Sequence, residues 1–123
     1  MIKIFLDDIR IPFDDTWIIL TNYQAFIDRV GKISFNDIEV ISLDHDLSDF
    51  DDVRGEKTGY DVAKWLVDQA MDRNENLPLI KVHSANPAGA DNIVKYINGY
   101  LKQKKMAETT VCWIVELKRG IRL

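Results

Sequence analysis

The chain has 123 residues, 46% of them hydrophobic and 29% charged, which fits one globular domain (1–123) with its own core and excludes a disordered segment. No apolar run nears the roughly 18 residues of a bilayer span, and MIKIFLDDIR meets two aspartates too early for a secretory leader, so a cytoplasmic protein without a membrane partner is expected. A net charge of −4 makes a poor non-specific binder of duplex DNA, whose phosphates must be neutralised.

In chain order, IKIFL at 2–6 is a short apolar run stopped by Asp7-Asp8, the profile of a buried strand. Residues 9–15, with Pro12 and Asp14-Asp15, read as a loop. Trp17 to Leu20 is a second strand. Thr21 then opens a helix, with Gln24 as its capping-box partner, Tyr23, Phe26, Ile27 and Val30 on one face, and Gly31 at its end. IEVISL at 38–43 is a third strand, again stopped by an aspartate, Asp44. Asp46 to Lys57 is polar and reads as a loop, with Asp49, Asp51 and Asp52 solvated. It is not an EF-hand: counted from Asp44, the sixth position is Asp49 and the twelfth Gly55, where glycine and glutamate are required.

Thr58 and Asp61 repeat the capping logic for a helix that runs to about Arg73, with Tyr60, Ala63, Val67 and Ala70 along one stripe. LIKVH at 79–83 is a fourth strand. Asn86-Pro87 starts another helix, which buries Ile93, Ile97, Tyr100 and Leu101. TVCWIVEL at 110–117 is a fifth strand and carries the single cysteine, Cys112, as a core residue. The alternation predicts an α/β sheet, mostly parallel, with right-handed crossovers. Residues 95–123 hold seven basic and two acidic side chains; these form a solvated helix end, or steer a small anion or a nucleic-acid end.

In such sheets ligands bind outside the carboxyl ends of the strands. There the chain places Asp7, Asp8 and Arg10, then Asp44, His45 and Asp46, then His83, Ser84 and Asn86. One aspartate after a strand is an ordinary turn or cap residue. Asp-Asp and Asp-His-Asp at two strand ends argue for a site. Crowded carboxylates call for a cation, and an all-oxygen set at Asp7, Asp8 and Asp44 suits Mg²⁺ or Mn²⁺. His83 alone reads as a satisfied core histidine; with His45 at the neighbouring strand end it reads as functional. Arg10 either pairs with the acids or meets a phosphate. The helix starting at Asn86-Pro87, with Ser84 beside it, supplies an anion site.

The Asp-Asp after strand one, Asp44 after strand three and Ser84-Ala85 after strand four resemble the receiver-domain pattern of metal-binding acids, phospho-accepting aspartate and Ser/Thr-Ala switch. More closely, LDDIRIP, ISLDHDL and VHSANPAGADNI resemble the cyclic-phosphate-processing receiver-like proteins of bacteria and phages. The resemblance implies a receiver-type (flavodoxin-like) sheet of five strands in the order 2-1-3-4-5; this chain departs from the pattern in that its first and last helices are expected to be reduced or missing. No Lys-Pro follows strand five, and Lys118 is the candidate for the receiver lysine. The implied activity is a metal-assisted phosphodiesterase acting on small cyclic phosphates or on RNA ends carrying a 2′,3′-cyclic phosphate. In it His45 and His83 serve as acid and base, Asp46 orients His45 or joins the metal shell, and Arg10, Ser84 and Asn86 meet the phosphate. The alternative is a receiver-like signalling or binding module, phosphorylated on Asp44 or sensing a nucleotide.

Overall fold

A computed structural model describes residues 1–12, 14–51, 55–104, 110–111 and 117–119. Strands β1 (Ile2–Leu6), β3 (Trp17–Leu20), β4 (Ile38–Leu43) and β7 (Leu79–Val82) lie parallel in the order β3-β1-β4-β7. These are the four predicted strands, and β1, the first run of the sequence, lies inside the sheet between β3 and β4. At the far edge β8 (Thr110–Val111) pairs parallel with β7, Lys81 opposite Thr110 and Val82 opposite Val111. Of the expected strand over 110–117, the described residues are Thr110 and Val111, in β8, and Leu117. Leu117 instead belongs to β9 (Leu117–Arg119), which runs antiparallel to β2 (Arg10–Pro12). Cys112 and residues 113–116 lie outside the described residues.

Residues 9–15 therefore contain a strand where a loop was expected. Pro12 is tolerated because β2 lies in a two-stranded ribbon, away from the main sheet. The polar stretch after Asp46 holds a second correction. It forms a hairpin of β5 (Asp49–Asp51) and β6 (Gly55–Lys57), with Phe50 opposite Glu56. Asp49 is not simply solvated: its Oδ2 accepts the Tyr23 backbone N–H at 3.0 Å and ties the hairpin to the first helix. Asp52 lies outside the described residues.

Three helices follow their local signals. Helix α1 (Tyr23–Val30) is capped by Asn22, whose side chain accepts the Ala25 N–H at 2.8 Å; Thr21 does not cap, and Gln24 hydrogen-bonds Asp28. Helix α2 (Gly59–Arg73) has the predicted capping box of Thr58 and Asp61, and ends at Asn74 in the left-handed region. Helix α3 (Pro87–Gln103) starts at Asn86 with proline in its first turn, as expected.

Strand parity explains how the sheet divides its side chains. Ile4, Leu6, Ile41, Leu43, Ile80 and Val82 join one core with Phe26 and Val30 of α1, Val62 and Leu66 of α2, and Ile93 and Ile97 of α3. Phe5 and Ser42 occupy alternate positions, buried but outside that cluster. Continuing the same alternation past each strand, His83 follows Val82 and Asp7 follows Leu6. They therefore fall with Phe5 and Ser42, on the side opposite the helix-facing core. Among the described residues no helix is long and apolar enough to cross a membrane.

Candidate active site

The strand ends are stitched together by the backbone before any side chain acts. Asp44 N donates to the Leu6 carbonyl at 3.0 Å, and His83 N to the Leu43 carbonyl at 2.9 Å. Gly59 N donates to the His45 carbonyl at 2.8 Å, docking the start of α2 on the Asp44–His45 backbone. Only glycine permits this approach, because a Cβ at position 59 would lie 1.9 Å from the Asp44 carbonyl oxygen.

Asp7 is fully buried and fully engaged. Its Oδ1 accepts the N–H groups of Ile9 at 2.8 Å and Arg10 at 2.9 Å, and its Oδ2 accepts Arg10 Nη1 at 3.0 Å. The same Oδ2 lies 3.1 Å from His83 Nε2. Burial alone would raise the Asp7 pKa, but the His83 hydrogen bond and the two backbone N–H groups together bring it below its ordinary value. Asp44 has the opposite fate. It is 3% exposed, and burial followed by the charge of Asp7 push it up to about 7. The Arg10 guanidinium, 3.6 Å away, the Ser84 hydroxyl and the His45 N–H at 2.9 Å oppose that rise only in part.

Asp7, Asp8 and Asp44 each offer a carboxylate oxygen, and these oxygens all lie within 4.8 Å of one another. The donor set is all-oxygen, and the repulsion felt at Asp44 is what a cation would relieve, so these residues fit a hard divalent ion. The side chain already bridging two of them is Arg10, 3.0 Å from Asp7 and 3.6 Å from Asp44. Lys118, the candidate for a receiver-type lysine, stands in β9 opposite Ile11.

The two histidines part company. His83 is 1% exposed. Its ring stacks on Phe5 with centroids 4.3 Å apart, its Nδ1 lies 2.6 Å from Ser42 Oγ, and its Nε2 meets Asp7. Burial lowers its pKa, against the Asp7 hydrogen bond and charge, which raise it. A neutral ring donating from Nε2 to Asp7 and accepting the Ser42 hydroxyl at Nδ1 satisfies every contact. Ser42 went unnoticed in the sequence, although it is the one hydroxyl in the apolar run IEVISL.

His45 keeps access to solvent, with its side chain 18% exposed. Its Nδ1 lies 2.7 Å from Asp46 Oδ1, and that hydrogen bond holds Asp46 below the ordinary carboxylate range. Asp46 is braced from its other side by Asn86 Nδ2, at 3.3 and 3.4 Å. The ring lies flush on the first turn of α3: a Cβ at Gly89 would lie 2.4 Å from His45 Cγ. Asn86 and Ser84 are committed to this scaffold. Asn86 Oδ1 caps Gly89 N at 3.0 Å, and Ser84 Oγ accepts the Asn86 N–H at 3.1 Å while bonding Asp44. Of the three residues expected at a phosphate, Arg10 alone keeps both a charge and partial exposure.

A parallel α/β sheet with acids at the ends of its first and third strands and a Ser-Ala after the fourth defines a receiver-like protein. Residues 2–99 match the cyclic-phosphate processing receiver domain, and the chain belongs to that family. No curated protein and no solved structure matches it.

Proposed function

We propose that this protein is a metal-assisted phosphoesterase that opens cyclic phosphates, acting on a small cyclic phosphate or on an RNA end. The observation that carries the reading is the meeting of two different pieces of chemistry at adjacent strand ends. One is the carboxylate triad of Asp7, Asp8 and Asp44; the other is an imidazole, His45, oriented through Nδ1 by Asp46. A Mg²⁺ or Mn²⁺ held by the triad would supply charge stabilisation for the phosphoryl oxygens.

The chain's own residues do the rest. With the Nδ1 proton held on Asp46, His45 presents Nε2 as the basic nitrogen, which takes a proton from the attacking water. The phosphorus–oxygen bond of the ring breaks, and the same imidazolium returns the proton to the leaving ribose oxygen. His83, with both ring nitrogens occupied, is a positioning residue: it holds Asp7 in one orientation and keeps it ionised. Arg10 neutralises the buried carboxylates and faces the anionic substrate. Ser84 and Asn86 set the positions of Asp44 and Asp46.

The test is direct. The protein is incubated with a panel of 2′,3′-cyclic nucleotides and cyclic-phosphate-ended RNA, with Mg²⁺ or Mn²⁺, and the products are chromatographed. Turnover lost in His45→Ala is the expected result; no turnover of any member at high enzyme concentration refutes the reading. A second reading, a signalling receiver phosphorylated on Asp44, draws support from the Ser84 hydroxyl bonded to that carboxyl. Treatment with acetyl phosphate and intact mass measurement distinguish it, by a stable gain of one phosphoryl group that Asp44→Asn abolishes.

A further inference from the structure

Asp8, one of the three clustered carboxylates, also lines an open cleft of about 460 Å³. Its other walls come from the start of α1, Thr21 and Asn22, and from the hairpin, Ser48 to Phe50. Phe50 stands on this lining with 72% of its surface exposed. A single exposed apolar side chain is ordinary on a protein surface, but the strand that carries this one is tied to α1. Asp49 is bonded to Tyr23 N at 3.0 Å, and Lys57, on the other strand of the hairpin, lies 5.2 Å above the Tyr23 ring. Leu47, just before the hairpin, is sunk in the core at 2% exposure. The chain turns outward at Ser48, whose φ of 50° is a conformation few serines adopt. An exposed aromatic face beside polar groups, on a strand tied to α1 and a few residues from the carboxylates, is an arrangement that can bind a nucleobase by stacking.

We infer that this cleft is a nucleoside subsite, with Phe50 the platform for the base, and that the substrate class is therefore a nucleotide and not a sugar or polyol cyclic phosphate. The inference rests on the phosphoesterase reading for the phosphate's position. The ribose then lies past Asp8, and the side chains of Thr21, Asn22 and Ser48 supply hydrogen-bonding groups around it. Asn22 Oδ1 already accepts the Ala25 N–H, so its amide nitrogen is the part that serves a ligand. Recognition by stacking favours purines without selecting one sequence, and it serves a free nucleotide and a strand-terminal nucleotide alike.

The experiment compares two hydrolysis products that differ only in the base, so that turnover does not interfere. Adenosine 3′-monophosphate and methyl ribofuranoside 3-phosphate are titrated calorimetrically into the parent, Phe50→Ala and Phe50→Tyr proteins with Mg²⁺ present. The parent should bind the nucleotide roughly 10–100-fold more tightly than the base-free phosphate. Phe50→Ala should lose that preference while leaving the affinity for the base-free phosphate unchanged, and Phe50→Tyr should keep it. Melting curves of both variants should match the parent, because the ring buries little. A trinucleotide ending in a 3′-phosphate that binds more tightly than the mononucleotide identifies an RNA end as the source; equal binding identifies the free nucleotide. A parent protein with no base preference, one that binds neither product, or a Phe50→Ala protein that retains the preference overturns the inference. Turnover of the base-free cyclic phosphate, followed separately, reports on the phosphoesterase reading alone.

Discussion

Replacing Asp44 by asparagine should stabilise the metal-free protein above neutral pH. Asp44 titrates near 7 in the fold against an ordinary value of 3.8, so between those values the native state holds a proton that the unfolded chain has lost. Stability must therefore fall as pH rises through that window. At about 1.4 kcal/mol per tenfold change in proton affinity, the ionised carboxylate costs the fold at most about 4 kcal/mol above pH 7. Asparagine is the neutral counterpart and still accepts from His45 N and Ser84 Oγ. It forgoes the attraction of Arg10 at 3.6 Å, but Arg10 keeps its nearer partner Asp7 at 3.0 Å. Relaxation of the surroundings takes part of the ceiling, which leaves an expected gain of about 1–3 kcal/mol at pH 8, or several degrees in Tm. The advantage should shrink as pH falls and vanish only below the ordinary value of 3.8, so at pH 5 less than half of it remains. The assay is urea unfolding at pH 5, 6, 7 and 8 in a chelating buffer. If Asp44→Asn is the less stable protein at pH 8, the ionised carboxylate is a net favourable partner of Arg10 and the electrostatic argument for a cation site fails.

Added Mg²⁺ or Mn²⁺ at 10 times its Kd should stabilise the parent by about 1.4 kcal/mol; Asp8→Asn and Asp44→Asn should lose that gain, while Asp68→Asn, exposed on α2, keeps it in thermal melts. His45→Ala should reduce turnover by roughly 10²–10⁴-fold and leave Tm almost unchanged, since the ring is partly exposed. His83→Ala should instead cost about 2–4 kcal/mol in urea unfolding, because it opens a hole beside Phe5 and strands the buried Asp7 and Ser42; a parent-like melting curve would contradict its assignment as a buried positioning group. Gly89→Ala should push the His45 ring off α3, and turnover measured per folded molecule should fall at least tenfold.

The parts of this fold that could be read from the sequence are those whose causes are local. Apolar runs ending in aspartate marked β1 and β4, and Thr58–Asp61 and Asn86-Pro87 marked the starts of α2 and α3 because a cap bonds within three residues of itself. Elements stabilised from afar were misread. Arg10–Pro12 pairs with residues 117–119, more than 100 positions away, and nothing in RIP announces it. The hairpin of Asp49–Asp51 and Gly55–Lys57 is polar, and it is anchored by the bond of Asp49 to Tyr23 N, 26 positions away. At Thr21-Asn22 two residues able to cap stand side by side, and composition does not choose between them. The site shows the same division. Which acids converge followed from strand ends alone, but the orientation of His83 is decided by parity. One position past Val82 on a strand whose even members face the helices, it turns toward Phe5 and Ser42.

That parity gives the site its electrostatic asymmetry. Two carboxylates within reach of a common cation, Asp7 and Asp44, are both buried and would repel equally if their surroundings were alike. Asp7 is given two backbone N–H groups, a guanidinium and the His83 ring, which together hold it below the ordinary carboxylate range. Asp44 receives one backbone N–H, a hydroxyl and a more distant Arg10, so the pair's one proton resides on it. Environments that drive two like groups apart in this way mark sites built for chemistry and not for packing alone. The consequence falls on cation affinity. An ion bound by the triad must displace the Asp44 proton below pH 7, whereas above it the carboxylate is already bare. Metal binding should therefore strengthen as pH rises toward 7 and then level off, with up to one proton released per ion on the acid side. Calorimetric titrations of Mg²⁺ in two buffers of different ionisation enthalpy read that proton directly, and Asp44→Asn should abolish it.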